Sequence, residues 1–302
     1  MCGFAGVLGF TPNSKNIQQC ILGLNSRGPD DFGKYLDKDI TLVHTRLSII
    51  DLTDNAKQPM VNKETGVVLA FNGEIYNYRE LRRKHNLDIK NNSDTKVILQ
   101  MYLKFGLDFV SELNGMFAIC IWDPRYKSLY LIRDRFGIKP LYIYKEKEKY
   151  IFGSDLNAIF NLGAKKIPNL YSIKRYLKFG ITENNKDTFF ENIEAIPTGS
   201  IFSIKSNKTS IRKYWLLKNN INTNKFANYS NDDLTNLIKN NLQDSIDSHL
   251  LSDVPIGLTL SSGLDSKVIL NNILDNKKIL NLKTFTYGYD ENLYDESKDI
   301  KN

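Results

Sequence analysis

The first ten residues, MCGFAGVLGF (1–10), place one of the chain's three cysteines directly behind the initiator methionine. In most proteins Cys2 would be no more than a small apolar residue at the start of a strand. The alternative is that the methionine is removed, so that Cys2 becomes the amino terminus. It would then carry a thiol nucleophile and a free α-amine on the same residue. The rest of the sequence decides between these two interpretations.

Composition limits the possible classes of protein. The chain has 302 residues, 41% hydrophobic and 25% charged, which is typical of one or two globular domains. No apolar run is long enough to span a membrane and no secretory signal is visible, so no membrane partner is predicted. The net charge of +7 comes from scattered lysines interleaved with acids, so no nucleic-acid partner is predicted either.

Cysteine and histidine usage points to a reducing compartment without a metal. The three cysteines Cys2, Cys20 and Cys120 are an odd number and widely spaced, so they do not form a disulfide framework. They predict a cytoplasmic protein. The three histidines have no metal-ligand spacing, and no metal site is predicted.

The first two hundred residues predict sheets with helices packed on them. Alternating apolar runs around short turns predict two hairpins, and apolar residues at helical spacing predict two helices. The hairpins are predicted in 115–134 and 140–155, and the helices in 16–24 and 93–106, with Ser93 or Asp94 as the cap of the second. Cys20 and Cys120 fall on core positions of these elements, so neither is predicted to be catalytic.

The composition changes after residue 205. An Asn-, Lys- and Ser-rich segment predicts a linker over 206–229, because nothing in it could fill a core. Beyond it, an amphipathic helix precedes a strand, a turn of small residues, a second helix and a second strand. That order predicts one βαβ unit. The predicted domains are therefore 2–205 and 230–302, joined by this linker.

The turn SSGLDS (261–266) could bind an anion, because it follows a strand and opens a helix. Its serines offer hydroxyl donors, its glycine permits close backbone approach, and Asp265 could orient the loop or meet a metal-bound phosphate. It lacks the lysine-serine pair of a Walker A loop and the glycine spacing of a dinucleotide site. On these residues alone, an ordinary strand-to-helix turn explains the segment equally well.

A series of motifs in order along the chain resembles a known family. Residues 252–270, SDVPIGLTLSSGLDSKVIL, resemble the pyrophosphate-binding loop of N-type ATP pyrophosphatases, and TFTYGYDENLYDES (284–297) resembles the segment that follows it. The amino half resembles the glutaminase domain of class II amidotransferases through MCGFAGVLG (1–9), SRGPDDFG (26–33), HTRLSIIDL (44–52), FNGEIYNYREL (71–81), SDTKVIL (93–99), RDRFGIKPLYI (133–143) and FGSDLNAI (152–159). Residues 2 to about 300 together resemble the glutamine-hydrolysing asparagine synthetases.

The resemblance implies a fold and an active site. The fold would be an α+β sandwich of the N-terminal nucleophile hydrolase type, layered α-β-β-α, followed by an incomplete α/β nucleotide-binding domain with a parallel sheet. Cys2 would attack the side-chain amide of glutamine, with its own α-amine as base. The Asn72 side chain and the Gly73 N–H would stabilise the oxyanion. Arg46 would bind the glutamine carboxylate, and Glu74 and Asp94 its ammonium group.

The implied binding sites have the following members. The glutamine site would comprise Arg46, Leu47, Ser48, Ile49, Ile50, Asn72, Gly73, Glu74 and Asp94. The nucleotide site would comprise Leu260, Ser261, Ser262, Gly263, Leu264, Asp265, Ser266 and Tyr287. Ser26, Ser262 and Lys267 depart from the family pattern, and the last two could alter the phosphate contacts.

The implied reaction joins the two halves. Ammonia from glutamine would aminate an AMP-activated aspartate formed with ATP and Mg²⁺, while glutamine hydrolysis itself needs no cofactor. Glutamine, ATP and aspartate would be the small-molecule partners, and a homodimer is left open. The second domain looks incomplete, which predicts a fragment, a truncated gene or one half of a split enzyme. A glutaminase-only chain, another acceptor such as a sugar, and a non-catalytic glutamine sensor remain as alternatives. A sensor would have no need of the nucleophile.

Overall fold

The computed structural model describes residues 2–89, 92–182, 186–221, 223–275 and 282–288, together with residue 300. The chain divides into two compact units, Met1–Asn220 and Ile221–Asn302.

The first unit contains twelve strands and six α-helices among its described residues. The strands are β1 (Gly3–Leu8), β2 (Asp31–Leu36), β3 (Ile40–Arg46), β4 (Met60–Val61), β5 (Val68–Ile75), β6 (Gly115–Asp123), β7 (Ser128–Arg133), β8 (Tyr142–Glu146), β9 (Lys149–Gly153), β10 (Ile193–Ala195), β11 (Ser200–Lys205) and β12 (Lys208–Lys213). The helices are α1 (Ser14–Leu24), α2 (Tyr78–Lys84), α3 (Asp94–Phe105), α4 (Leu156–Asn161), α5 (Leu170–Phe179) and α6 (Leu217–Asn220).

Two six-stranded antiparallel sheets form the centre of this unit. The first sheet has the order β10-β8-β9-β1-β3-β2, and the second has the order β12-β11-β7-β6-β5-β4. A buried apolar cluster that includes Phe4, Trp122, Phe152 and Phe202 joins the two sheets face to face. The strand after Cys2 is therefore central in its sheet, between β3 and β9.

Helices cover the outer faces of the sandwich. Cys20 and Leu24 of α1 and Ile159 of α4 pack with Val43 of the first sheet in a second buried cluster. On the other side, α3 buries Val97, Ile98, Met101 and Tyr102 and lies against β5. The layers follow the predicted order α-β-β-α. The predicted hairpins form as β6–β7 and β8–β9, the predicted helices as α1 and α3, and Cys20 and Cys120 are buried in the core.

The end of the first unit differs from the linker predicted over 206–229. Lys208–Lys213 forms strand β12, which pairs with β11 along its whole length. All six of its side chains are exposed, so backbone hydrogen bonds rather than apolar burial hold it to the sheet. Composition alone therefore gave no sign of this edge strand, and the compact unit extends to Asn220.

The second unit contains the predicted strand–turn–helix–strand order. The helices α7 (Asn231–His249) and α8 (Leu264–Asp275) accompany two strands, β13 (Gly257–Thr259) and β14 (Lys283–Phe285), which pair in parallel. Ser230 and Asp233 form a capping box that begins α7. Residues 289–297 of the motif at 284–297 lie outside the described residues. Among the helices that are described, none is long and apolar enough to cross a membrane.

Candidate active site

Cys2 lies at the start of β1, where the first sheet opens into a cavity. Its thiol contacts the backbone of Leu47, with the Leu47 N–H donating to Sγ at 3.3 Å and Sγ at 3.5 Å from the Leu47 carbonyl oxygen. Arg27 Nε donates to the Cys2 carbonyl oxygen at 3.3 Å. Burial is the main influence on the thiol and raises its pKa, while the Leu47 N–H acts in the opposite direction. The thiol therefore needs a base before it can act as a nucleophile.

Asn72 and Gly73 stand opposite Cys2 on β5 of the second sheet. Asn72 is fully buried, and its Nδ2 donates to Ser154 Oγ at 3.4 Å. Ser154 in turn is tied to β1, because its N–H donates to the Phe4 carbonyl at 2.8 Å. The Asn72 Oδ1 atom is buried without a hydrogen-bond partner among the described residues. A buried polar atom without a partner, beside a cavity, fits a ligand that brings a donor.

Only glycine fits at position 73. A Cβ there would lie 2.0 Å from the Met116 carbonyl oxygen and 2.8 Å from the Phe117 Cα, both of them backbone atoms of β6. The backbone φ of Gly73 is 156°. The oxyanion donor predicted from the sequence is therefore a residue that cannot carry a side chain without separating two central strands.

Arg46 and Asp94 supply opposite charges to the same cavity, and both are buried. The Arg46 guanidinium is held by the backbone, with Nη1 donating to the Thr53 carbonyl at 3.0 Å and Nη2 donating to the Asp51 carbonyl. Asp94 begins α3 and accepts the N–H groups of Ile75 at 3.3 Å and Thr95 at 2.7 Å. A fixed cation and a fixed anion in one cavity complement an α-amino acid zwitterion.

Burial raises the pKa of Asp94 from 3.8 to about 7, against the effect of its two backbone hydrogen bonds. The charge of Glu74, which also lines the cavity, raises it further. A ligand ammonium group would therefore relieve an unfavourable buried negative charge, which favours binding of a cation at this position.

The cavity brings together most of the predicted glutamine site. Of the predicted residues, those that line it are Cys2, Arg46, Leu47, Ile49, Ile50, Asn72, Gly73, Glu74 and Asp94. Ser48 does not line it; its N–H donates to Asp30 Oδ2 at 2.7 Å, so it holds the loop after β3 in place.

Three further polar or charged residues of the cavity were not predicted from the sequence. Gln58 and Thr95 line it, and so does Lys139, whose pKa is lowered by burial while the Glu74 charge acts in the opposite direction. Lys139 lies within the motif RDRFGIKPLYI and Thr95 within SDTKVIL, so both motifs could have indicated them. Gln58, which precedes Pro59, lies outside every motif that carried the resemblance.

The predicted nucleotide loop forms a second cavity, between β13, α8 and β14. Leu260, Ser261, Asp265, Ser266 and Tyr287 line it, whereas Ser262, Gly263 and Leu264 lie in the turn and do not. The loop is closed by its own hydrogen bonds: the Ser261 N–H donates to Ser266 Oγ at 3.2 Å and the Gly263 N–H to Ser261 Oγ at 3.3 Å. A Cβ at position 263 would lie 3.2 Å from Ser261 Oγ, so this turn favours a residue without a side chain.

The family model for the glutamine amidotransferase domain matches residues 1–215. The chain belongs to the glutamine amidotransferase domain family. A second family model, asparagine synthase, matches residues 237–302. The glutamine amidotransferase domain is thus followed by the start of an asparagine synthase domain, as the sequence motifs predicted.

Curated relatives of this amidotransferase chain are named as asparagine synthetases. It is 35% identical to asparagine synthetase [glutamine-hydrolyzing] 2 of Bacillus subtilis over 95% of this chain and 40% of the relative. It is 32% identical to a putative asparagine synthetase of Methanocaldococcus jannaschii over 100% of this chain and 62% of the relative. It is 34% identical to asparagine synthetase B of Escherichia coli over 89% of this chain and 44% of the relative. The chain thus spans about half the length of these relatives.

Solved structures confirm the fold class of the amidotransferase. Glutamine phosphoribosylpyrophosphate amidotransferase from B. subtilis matches with a TM-score of 0.54 at 14% identity, covering 94% of this chain and 65% of that chain. At this identity the similarity concerns the fold, an N-terminal nucleophile hydrolase sandwich.

Proposed function

We propose that the first unit hydrolyses glutamine to glutamate and ammonia with Cys2 as the nucleophile. One observation carries the proposal: a thiol, two candidate oxyanion donors and a pair of opposite buried charges line a single cavity. Arg46 would bind the glutamine α-carboxylate, and Asp94 with Glu74 its ammonium group. The side-chain amide of the substrate would then lie between Cys2 on the first sheet and Asn72 with Gly73 on the second.

The proposed chemistry has two steps. Cys2 Sγ attacks the side-chain amide carbon, and the negative charge on the substrate oxygen is stabilised by Asn72 Nδ2 and the Gly73 N–H. The C–N bond breaks, the thiol proton is delivered to the leaving nitrogen, and ammonia departs from a Cys2 thioester. Water then attacks the thioester through a second oxyanion, which releases glutamate and restores the thiol.

The base for the thiol would be the α-amine of Cys2 itself. Because burial raises the thiol pKa, the thiol stays protonated near neutral pH unless a base accepts its proton. An α-amine has a pKa near 8, which suits this role. It is available only if Met1, which lies outside the described residues, is removed.

For the second unit we propose the start of an ATP-dependent asparagine synthetase domain. The turn at 261–266 would hold phosphate through backbone N–H groups at the beginning of α8, and Asp265 could meet a phosphate-bound Mg²⁺. Bound ATP would supply the activation of a carboxylate such as that of aspartate, which ammonia then aminates. Amination of another acceptor, such as a sugar, is the alternative to asparagine formation. Free cysteines support a cytoplasmic location for the proposed enzyme.

A glutaminase without synthetase activity is the second candidate. It is favoured by the loop itself, where the N–H groups of Ser261 and Gly263 are bonded to serine hydroxyls of the same loop. Asparagine formation from glutamine, ATP and aspartate would decide between the two candidates.

The proposed nucleophile is tested by replacing Cys2 with alanine. Cys2→Ala should lower ammonia release from glutamine at least ~1000-fold, since Cys2 is the only thiol among the described residues that line the cavity. Glutamine binding, measured by calorimetry, should survive because Arg46 and Asp94 remain. Cys20→Ala, a buried cysteine of α1, is the matched control and should keep its activity. Hydrolysis that persists in Cys2→Ala would overturn the proposal.

A further inference from the structure

Strand β5 has a partly open edge at the cavity. Its other edge pairs with β6 from Val68 to Ile75, whereas β4 pairs only with Val68 and Leu69. Beyond Leu69, the described residues add no strand along the β4 edge. In an antiparallel sheet the backbone groups of alternate residues point to the same edge. The N–H groups of Phe71, Gly73 and Ile75 therefore point away from β6, towards the cavity.

Buried side chains take the place of the missing strand. The Phe71 N–H donates to Gln58 Oε1 at 2.6 Å, and the Ile75 N–H donates to Asp94 Oδ2 at 3.3 Å. On the carbonyl side of Phe71, His44 Nε2 lies 3.1 Å from the oxygen. Burial lowers the His44 pKa to about 4, so the ring is neutral near pH 7 and can donate from Nε2. The Gly73 N–H lies between the two bonded N–H groups.

Gln58 connects this strand to the beginning of α3, where Asp94 is proposed to bind the ammonium group of glutamine. Its Oε1 accepts from Phe71, while its Nε2 donates to Thr95 Oγ1 at 3.4 Å. The Thr95 N–H then donates to Asp94 Oδ1 at 2.7 Å, and Asp94 returns to the strand through Ile75. These hydrogen bonds therefore connect β5 to the beginning of α3 on both sides of the Gly73 N–H. Gln58 is only 7% exposed and lines the cavity.

We propose that Gln58 is a positioning residue for the oxyanion hole. It fixes the Phe71–Gly73 segment against the beginning of α3, so that the Gly73 N–H points at the oxyanion while Asp94 holds the substrate ammonium. Its amide accepts from a backbone N–H and donates to a hydroxyl without bringing a charge into the cavity. The inference rests on the proposed glutaminase activity of Cys2 and names a residue outside its reacting groups.

The test compares two reactions of the same thiol in Gln58→Met. Glutamine hydrolysis develops an oxyanion, whereas alkylation of Cys2 by iodoacetamide is a displacement at carbon that develops none. In Gln58→Met the Phe71 N–H loses its acceptor, and kcat for hydrolysis should fall about 10- to 100-fold. This loss is smaller than the one expected when an oxyanion donor itself is removed. KM should change less than about threefold, and the alkylation rate of Cys2 less than about twofold. Ile204→Val, a core change in β11, is the matched control and should alter neither rate.

A second variant, Gln58→Glu, provides a rescue that a merely structural role would not show. While protonated, the introduced carboxyl can accept from Phe71 and donate to Thr95 as the amide does. Its kcat relative to the natural chain should therefore be highest near pH 6 and fall by about tenfold towards pH 8.5. The titratable and charged groups that share the cavity with it are Cys2, Arg46, Glu74, Asp94 and Lys139.

Four outcomes decide the inference. A Gln58→Met kcat equal to that of the natural chain would overturn it, and so would equal losses in hydrolysis and alkylation. Loss of hydrolysis alone, with rescue at low pH in Gln58→Glu, would support it. If the natural chain is alkylated but never hydrolyses glutamine, the proposed function fails first, and the Gln58 assignment fails with it.

Discussion

Asp94 is the residue at which function and stability conflict most directly. Its carboxyl group is buried at the first position of α3, and burial raises its pKa from 3.8 to about 7. The folded protein therefore holds this proton more tightly than the unfolded chain does. The contribution of Asp94 to stability is present below about pH 4 and is lost as the pH rises towards 7. The proposed ligand ammonium group would account for a carboxylate that is unfavourable in its buried, ionised form.

Asp94→Asn should therefore stabilise the protein while removing glutamine binding. The shift in the Asp94 pKa corresponds to a destabilisation of the folded protein by about 4 kcal/mol at pH 8, which asparagine would remove. The loss of one backbone hydrogen bond offsets this gain by about 1–2 kcal/mol. We expect the free energy of unfolding to rise by about 2–3 kcal/mol at pH 8 and to change little at pH 4. Urea unfolding at the two pH values measures this difference, and equal effects at both would contradict the burial argument.

At the scale of the element, β5 carries three functions along eight residues. It pairs with β6, presents Asn72 and Gly73 to the cavity, and anchors α3 through the bond from Ile75 to Asp94. The close approach of β6 at position 73 makes this strand intolerant of change where it is most functional.

Gly73→Ala should destabilise the sandwich more than an alanine that replaces a glycine with open space around it. The new Cβ would lie 2.0 Å from the Met116 carbonyl oxygen, so β5 and β6 must move apart. We expect a loss of about 3 kcal/mol or more, together with loss of hydrolysis. Gly180→Ala is the control, because the backbone there is left-handed helical, with φ 68° and ψ 10°, and no atom lies within 4 Å of a Cβ at that position; it should cost about 1 kcal/mol. Equal melting temperatures for the two variants would contradict this account.

Local patterns were sufficient to predict α3 and two hairpins of the sandwich, but not the strands β1, β3 and β5 at the cavity. The alternation in 115–134 and the helical spacing in 93–106 predicted the β6–β7 hairpin and α3, and of the two predicted caps, Ser93 and Asp94, the structure has Ser93. Gln58 could not be found in this way, because its partners Phe71 and Thr95 lie 13 and 37 residues away. Strand β12 was missed for a different reason: its exposed polar side chains carry no burial pattern.

At the scale of the whole molecule, the sandwich explains why the proposed catalytic groups are so far apart in sequence. Cys2 and Arg46 come from the first sheet, Asn72 and Gly73 from the second, and Asp94 from the helix that covers it. Ser154, at the end of β9, links Asn72 to β1 across the two sheets. The two sheets, the loop after β3 and the beginning of α3 together line the cavity, so the site requires the folded first unit.

The most direct test of the account is ammonia release from glutamine by the purified 302-residue chain, measured together with its intact mass. The account predicts a mass without Met1 and one ammonia for each glutamate formed, in the absence of ATP. The same sample should lose this activity when Cys2 is alkylated. If the chain retains Met1 and releases no ammonia, the nitrogen of Cys2 is in a peptide bond and its thiol has no base. Ammonia release by a chain that retains Met1 would contradict the α-amine as the base.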